Sequence, residues 1–534
     1  MPGVDPNGEP WRMSFFHAFY FVSYTGSTIG FGEIPYPFTD AQRAWGVVCI
    51  YTSVVAWLYA IGKIIQLLQD PTFKQAISER SFQRNISRIE LPFYIICGYG
   101  ETGMLINRGL SDIGIPTVII DYNADRTSSL ELEDLSFAPI VLTADTTVPK
   151  NLVSAGLNHD KCQGVIAVTE NDHTNLQIAV ACKLLNMQVP VICRSEIQDE
   201  ADNMASFGTD TIINPFLTFA NRLNLLAHNP TLHKIQNWFI NQQSAEHLAE
   251  KPLPKGRWII CGFGRLGQAI HTHLRKDGID IVIVDVDPQA HSAPKDAIVG
   301  RGTEAKTLHE AGIMDASVVV AASDDDANNL SILITAQQIN SDIYTIGRVS
   351  KEANQVLFVQ ANCDYIMRRS QLVANETLTT ISRPLVSKFI KYSTSLSEED
   401  TEQLIERISK LTHNHDPITW RLVVNHENAP AIVDHINNGK VITVSTLTKN
   451  ELLPKANSIP LLLLRGGVSH LLPASDMELQ MGDELLLCTK RYALNMAQRL
   501  ANNEELVDTL INKNPHHIPL LRWWSRRKHL TPDS

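Results

Sequence analysis

The strongest constraint on this chain is that part of it occurs twice. Residues 93–121 read FYIICGYGETGMLINRGLSDIGIPTVIID, and residues 257–285 read RWIICGFGRLGQAIHTHLRKDGIDIVIVD. The two align without a gap, so one supersecondary unit must form in both places. Each copy has an apolar strand, then a glycine loop, Gly98-x-Gly100-x-x-Gly103 or Gly262-x-Gly264-x-x-Gly267, then an amphipathic helix. A second strand follows and ends in an acid, Asp121 or Asp285. Each acid falls about 20 residues beyond its glycines, the spacing of a dinucleotide fingerprint. There the glycines let the backbone approach a pyrophosphate at a helix N-terminus, and the acid accepts hydrogen bonds from ribose hydroxyls. One GxGxxG alone is weak evidence. Two in-frame copies, each with strand, helix and acid, predict two Rossmann-like α/β units.

The repeat continues downstream. Gly156-Leu157 corresponds to Gly312-Ile313, and Asn175 aligns with Asn329. Arg194 aligns with Arg348, and Gly208-Thr209-Asp210 with Asn362-Cys363-Asp364. The copies differ at the phosphate end. The second has Arg265 inside its glycine loop, which favours a bound phosphate. The first has Glu101 there, which repels one. Glu101, Asp121, Asp145, Glu170 and Asp172 surround the first site, whereas Arg301 replaces Asp145 in the second. The second site is expected to bind a phosphorylated nucleotide, such as an adenine nucleotide or NAD(H). The first is expected to bind a cation, a less charged nucleoside or nothing. The alternative is that both glycine loops only hold the fold, which competes evenly with ligand binding at the first site and less well at the second.

Hydrophobicity is concentrated at 44–65, AWGVVCIYTSVVAWLYAIGKII, where only Lys63 is charged. About 20 such residues cross a bilayer as a helix. Lys74, Arg80, Arg84 and Arg88 follow the run, whereas Glu33, Asp40 and Arg43 precede it. The positive-inside rule then places everything after about residue 70 in the cytoplasm. Upstream, SFFHAFYFVSYT (14–25) is apolar, aromatic and too short to span, with Ser14 placed as an N-cap. It suits a re-entrant helix. It leads directly into Thr28-Ile29-Gly30-Phe31-Gly32-Glu33. A cation filter needs backbone carbonyls lining a narrow axis, and glycines at alternate positions permit the necessary backbone angles.

These six residues resemble the potassium-channel signature, usually TVGYG followed by Asp. Ile29 replaces Val, Phe31 replaces Tyr and Glu33 stands at the Asp position. The resemblance implies a selectivity filter at Thr28, Ile29, Gly30, Phe31 and Gly32, with K+ as permeant ion. The family's inner-helix hinge glycine falls near Ser53, and Gly62 lies closer to the cytoplasmic end. The family also has an outer helix before the pore helix. None precedes Ser14, so the sequence is expected to start late or a separate chain to supply that helix. The repeated soluble part resembles the RCK (regulator of potassium conductance), or Trk-regulator N-terminal (TrkA-N), domain over roughly 92–215 and 257–370. That resemblance implies cofactor contacts at Gly98, Gly100, Gly103 and Asp121, and at Gly262, Gly264, Arg265, Gly267 and Asp285.

The 534 residues are too many for one core. We expect a pore helix, filter and inner transmembrane helix (1–70), a linker (71–91), a first RCK domain with helical linker (92–250), a second RCK domain (257–383), a small α+β C-terminal subdomain (384–495) and a tail (496–534). Residues 215–240 read as helical, 246–256 as a polar linker and 384–412 as helical. Trp420–Val424, Val441–Val444 and Glu484–Cys488 read as strands. The tail residues 522–528, RWWSRRK, suit either a membrane surface or a solvated end. A net charge of −11 argues against a nucleic-acid partner. The eight cysteines show no CxxC and no zinc spacing, so they are expected to be reduced core residues, and no metal site is expected. No catalytic constellation stands out. The leading expectation is a homotetrameric potassium channel in the cell inner (plasma) membrane, gated by a small nucleotide or cation ligand. Alternatives are a peripheral Trk-type regulatory subunit with a vestigial pore, and an NAD-dependent oxidoreductase.

Overall fold

The computed structural model describes residues 3–32, 36–70, 80–130, 134–240, 253–275, 278–412, 417–449 and 457–512. The chain divides into two compact units, Met1–Ile89 and Glu90–Ser534. Glu33, Lys74 and the basic-aromatic tail 522–528 lie outside the described residues, as does most of the expected polar linker.

The N-terminal unit opens with a short antiparallel pair, β1 (Gly3–Val4) and β2 (Pro10–Trp11), which the sequence reading did not anticipate. A short helix, Phe15–Gly26, follows. Ser14 caps it, its Oγ accepting the His17 N–H at 3.3 Å. A long helix, Asp40–Gln69, completes the unit. It starts one turn before the apolar run because Thr39 and Gln42 form a capping box. Its 30 residues extend about 45 Å, enough to cross a bilayer. Its apolar side chains, Tyr51, Val55 and Tyr59 among them, point outward rather than into a core. The two helices meet where Gly26 lies against Ser53, the position expected to replace the hinge glycine.

The second unit contains two parallel six-stranded sheets of identical topology. The first comprises β3 (Phe93–Cys97), β4 (Thr117–Asp121), β5 (Ile140–Thr143), β6 (Cys162–Ala167), β7 (Val191–Arg194) and β8 (Thr211–Ile213), in the order β5-β4-β3-β6-β7-β8. The second comprises β9 (Arg257–Cys261), β10 (Ile281–Asp285), β11 (Ile298–Val299), β12 (Ala316–Ala321), β13 (Tyr344–Val349) and β14 (Tyr365–Arg368), in the order β11-β10-β9-β12-β13-β14. Their strands are nearly continuous apolar runs because both faces are covered. In each sheet the strand order reverses beside the first strand. That opens a crevice at the carboxyl ends of β3 and β6, or of β9 and β12.

The two domains exchange helices. The crossover helix after the first sheet, Pro215–His228, inserts Phe216, Phe219 and Leu223 into the second domain's core beside Trp258, Ile260 and Ile270. The crossover helix after the second sheet, Arg369–Ser382, inserts Val373 and Ala374 into the first domain's core beside Ile106 and Leu110. Arg222 and Glu376 join the two exchanged helices at 2.7 Å. Asn229 divides the expected helical stretch 215–240, and the second piece, Pro230–Ile240, turns elsewhere. Its Ile235 and Phe239 share a core with Phe389, Ile408, Leu461 and Leu486.

That last core belongs to the C-terminal part. Helices Pro384–Ser393 and Glu398–Thr412 precede an antiparallel sheet of β15 (Ile418–Val423), β16 (Ile459–Arg465), β17 (Val468–Leu471) and β18 (Glu484–Thr489), in the order β15-β18-β16-β17. The strand expected at Val441–Val444 is not one. Thr443 makes a single bridge to Glu478 and then caps a helix, Val444–Thr448, through Thr446. Six of the cysteines are buried and all eight are free. Burial pushes the Cys261 and Cys488 thiols up to about 12, so they remain protonated.

Candidate functional site

The segment after the short helix alternates in hand. Thr28, Gly30 and Gly32 have φ of 62°, 65° and 71°, whereas Ile29 and Phe31 between them do not enter the positive region. A cation filter needs backbone angles of this kind at alternate positions, where glycine adopts them freely. Positive φ costs glycine nothing, but it strains a β-branched residue such as Thr28. Backbone strain of this kind is retained where the surroundings or the function demand it. The Ile29 and Gly30 N–H groups both donate to the Tyr24 carbonyl, at 3.1 and 3.2 Å. These bonds fix the segment to the negative, C-terminal end of the helix, which favours a cation nearby.

In the second unit, the outer glycines of each loop are explained by close packing. Gly98 and Gly262 have φ of 99° and 101°. A Cβ on Gly103 or Gly267 would lie 2.1 Å from the carbonyl oxygen of Gly98 or Gly262, so no side chain fits where helix meets strand. The middle glycines differ. Beside Gly100, Arg126 Nη2 and Glu170 Oε1 pair at 3.2 Å, and a Cβ would meet both residues within 3.6 Å. Around Gly264 a Cβ would meet nothing within 4 Å. The second cradle is therefore open to an approaching group, while the first is roofed by its own ion pair.

Both acids are buried, and their oxygens first serve the loop. Asp121 accepts the Tyr99 N–H at 2.5 Å and the Asn123 N–H at 2.7 Å. Asp285 accepts the Phe263 N–H at 2.6 Å and the Asp287 N–H at 2.8 Å, and pairs with His291 Nδ1 at 2.8 Å. Burial alone would raise the Asp285 carboxyl. The Phe263 N–H and His291 outweigh it and hold the group below the usual carboxylate range. Asn175 and Asn329 brace the rim opposite. Each amide oxygen accepts a loop N–H, from Thr169 or Ser323, and each amide nitrogen donates to the Arg194 or Arg348 carbonyl.

The residues that distinguish the two loops point across the seam between the domains. Glu101 accepts the Glu352 N–H and the Ser370 hydroxyl of the second domain, each at 3.3 Å. Arg265 Nη1 pairs at 2.7 Å with Glu196 of the first domain. Glu196 also takes Arg194 at 2.7 Å and Arg369 at 3.1 Å. Of the acids expected around the first site, Asp172 is engaged by backbone N–H groups: its carboxylate accepts those of Glu196 and Ile197. Asp145 is occupied by Thr147, whose hydroxyl and N–H hold its carboxyl below the usual range. Sequence reasoning missed Glu196 and His291; Glu196 aligns with Ser350, so its charge is not repeated in the second copy. Among the described residues, no cluster of three metal-ligating side chains occurs.

Comparison with known proteins agrees with both resemblances. The ion-channel family matches residues 4–70, and the TrkA-N domain family matches residues 94–215 and again 258–369. Potassium channel protein 1 of Methanocaldococcus jannaschii is 28% identical over 224 residues, 42% of this chain and 65% of that protein. The voltage-gated potassium channel Kch of Escherichia coli is 22% identical over 219 residues, 40% of this chain and 49% of Kch. The chain thus matches less than two thirds of either relative's length. The solved GsuK channel bound to NAD aligns over 93% of this chain and 94% of that one, at 14% identity and a TM-score of 0.48. The chain thus joins a segment matching the ion-channel family to two segments matching the TrkA-N domain family.

Proposed function

We propose that this chain is a subunit of a potassium channel, and that a ligand held by its RCK domains gates the pore. The observation that carries this reading is the alternating backbone at Thr28, Gly30 and Gly32, set at the C-terminal end of a short apolar helix. Carbonyls lining a narrow axis replace a cation's water shell. One chain supplies one wall, so four copies would close the ring, with the long helix Asp40–Gln69 lining the inner path. The location that fits is the plasma membrane, with the Rossmann-like domains in the cytoplasm.

The ligand assigned to the second loop is an adenine nucleotide or NAD. Gly262 and Gly267 shape that loop, open Gly264 admits the phosphates, Arg265 supplies positive charge and Asp285 fixes the loop backbone. For the first loop, closed by Arg126 and Glu170, a phosphorylated ligand is the poorer fit. A ligand can open or close the pore only by binding one conformation of the ring more tightly than another.

The test is reconstitution of the purified chain in planar bilayers, with potassium and sodium on opposite sides. A potassium-selective current is expected. Gly30→Ala should abolish it, because alanine is strained at a φ of 65°, while nucleotide binding persists. No current from correctly assembled tetramers would favour the alternative of a regulatory subunit whose pore is vestigial.

A further inference from the structure

The seam between the two domains gathers more positive charge than one carboxylate neutralises. Arg194, Arg265 and Arg369 all reach Glu196, which is itself buried. Arg348 lies alongside: its guanidinium and that of Arg265 both cover the Phe216 ring, at 5.0 and 5.4 Å. Arg348 pairs with exposed Asp324. The Nε atoms of Arg194, Arg348 and Arg369 are buried and make no hydrogen bond among the described residues. Such donors are costly to leave unmet. The surplus of donors over acceptors is what an anion with more oxygens than a carboxylate would satisfy.

Arg265 has two claims on it. By position it opens the helix of the second glycine loop, beside open Gly264. By contact it is bound to Glu196 of the other domain. We propose that Glu196 is a resident anion at this seam, and that a phosphate group of a nucleotide entering the second loop displaces it from Arg265. This rests on the nucleotide reading of the second loop given above. Binding then has a structural consequence. The carboxylate stays with Arg194 and Arg369, but the ion pair that joins the second loop to the first domain is lost. Occupancy of one loop is thereby converted into a loosening of the contact between domains. Glu196 sets the threshold, because it competes with the ligand for one guanidinium.

The test uses the full chain in detergent and a fluorescent ADP as probe. Glu196→Gln keeps the shape and removes the competing charge, so ADP should bind at least about tenfold more tightly than to the wild type. Unchanged or weaker binding overturns the proposal. Gly264→Val should abolish binding with Glu or Gln at position 196. If it does not, the nucleotide reading of the second loop fails, rather than the competition. Should Glu196→Gln not fold, the wild type suffices. Saturating ADP should speed hydrogen exchange in residues 196–206 and 369–375, and slowed or unchanged exchange there overturns the proposal.

Discussion

Asp285 shows how much one side chain carries in this fold and how it should respond to acid. Its carboxylate fixes the glycine loop through the Phe263 N–H and the following turn through the Asp287 N–H and His291. Because its folded-state titration lies below the usual value, its contribution is complete above the unfolded-chain value near 3.8 and is lost as pH falls through the folded value. Asp285→Asn should cost about 1–3 kcal/mol at neutral pH, since one loop N–H loses a charged acceptor. The difference from the wild type should shrink as pH drops below about 4. Denaturant midpoints measured from pH 3 to pH 7 check this, and a constant offset across that range would contradict it. This residue was legible in the sequence, because its distance from the glycines is set by the length of one helix and one strand. Glu196 was not. Its importance arises only where two domains meet, and nothing local in Cys193-Arg194-Ser195-Glu196 marks it.

At the scale of elements, periodicity located the helices but not the surfaces they cover. The stretch 215–240 reads as one amphipathic segment, yet its two halves serve different cores on either side of Asn229. Periodicity reports that a face is apolar and is silent about what will bury it. The strand expected at Val441–Val444 failed for a local reason: β-branched residues favour a strand, but the paired Thr443 and Thr446 cap a helix instead. The pore-type segment and both glycine loops were legible because their backbone demands exclude most other residues. Helix exchange gives a direct prediction. Gly109 lies under the second crossover helix, where a Cβ would sit 2.4 Å from Leu378 Cδ1. Gly109→Leu should destabilise the first domain by about 1–3 kcal/mol through overpacking. Hydrogen exchange should rise in 369–382, and protection equal to the wild type would show that this packing was misjudged.

At the scale of the whole molecule, the repeat made the soluble part recognisable, while the relation between its copies became visible only in three dimensions. Along the chain the copies follow one another as consecutive beads. In the structure, the terminal helix of each bead completes the other. The acidic composition and the scattered cysteines give no sign of such reciprocity. The seam and its arginines follow from the exchange, because the crossover helix from Pro215 brings Phe216 beneath Arg265 and Arg348.

The exchange of helices also decides what happens if the chain is severed. A break placed between Ile240 and Leu253 would leave two pieces, each holding the helix that the other needs. Neither half then has a complete interior of its own, and separation would expose Phe216 and Phe219 on one and Val373 and Ala374 on the other. Residues 1–245 and 246–534, produced from separate genes in one cell, should therefore copurify as a stable complementing pair. Either made alone should be insoluble or degraded. Connectivity between the two domains is then dispensable, and mutual enclosure is what keeps them together.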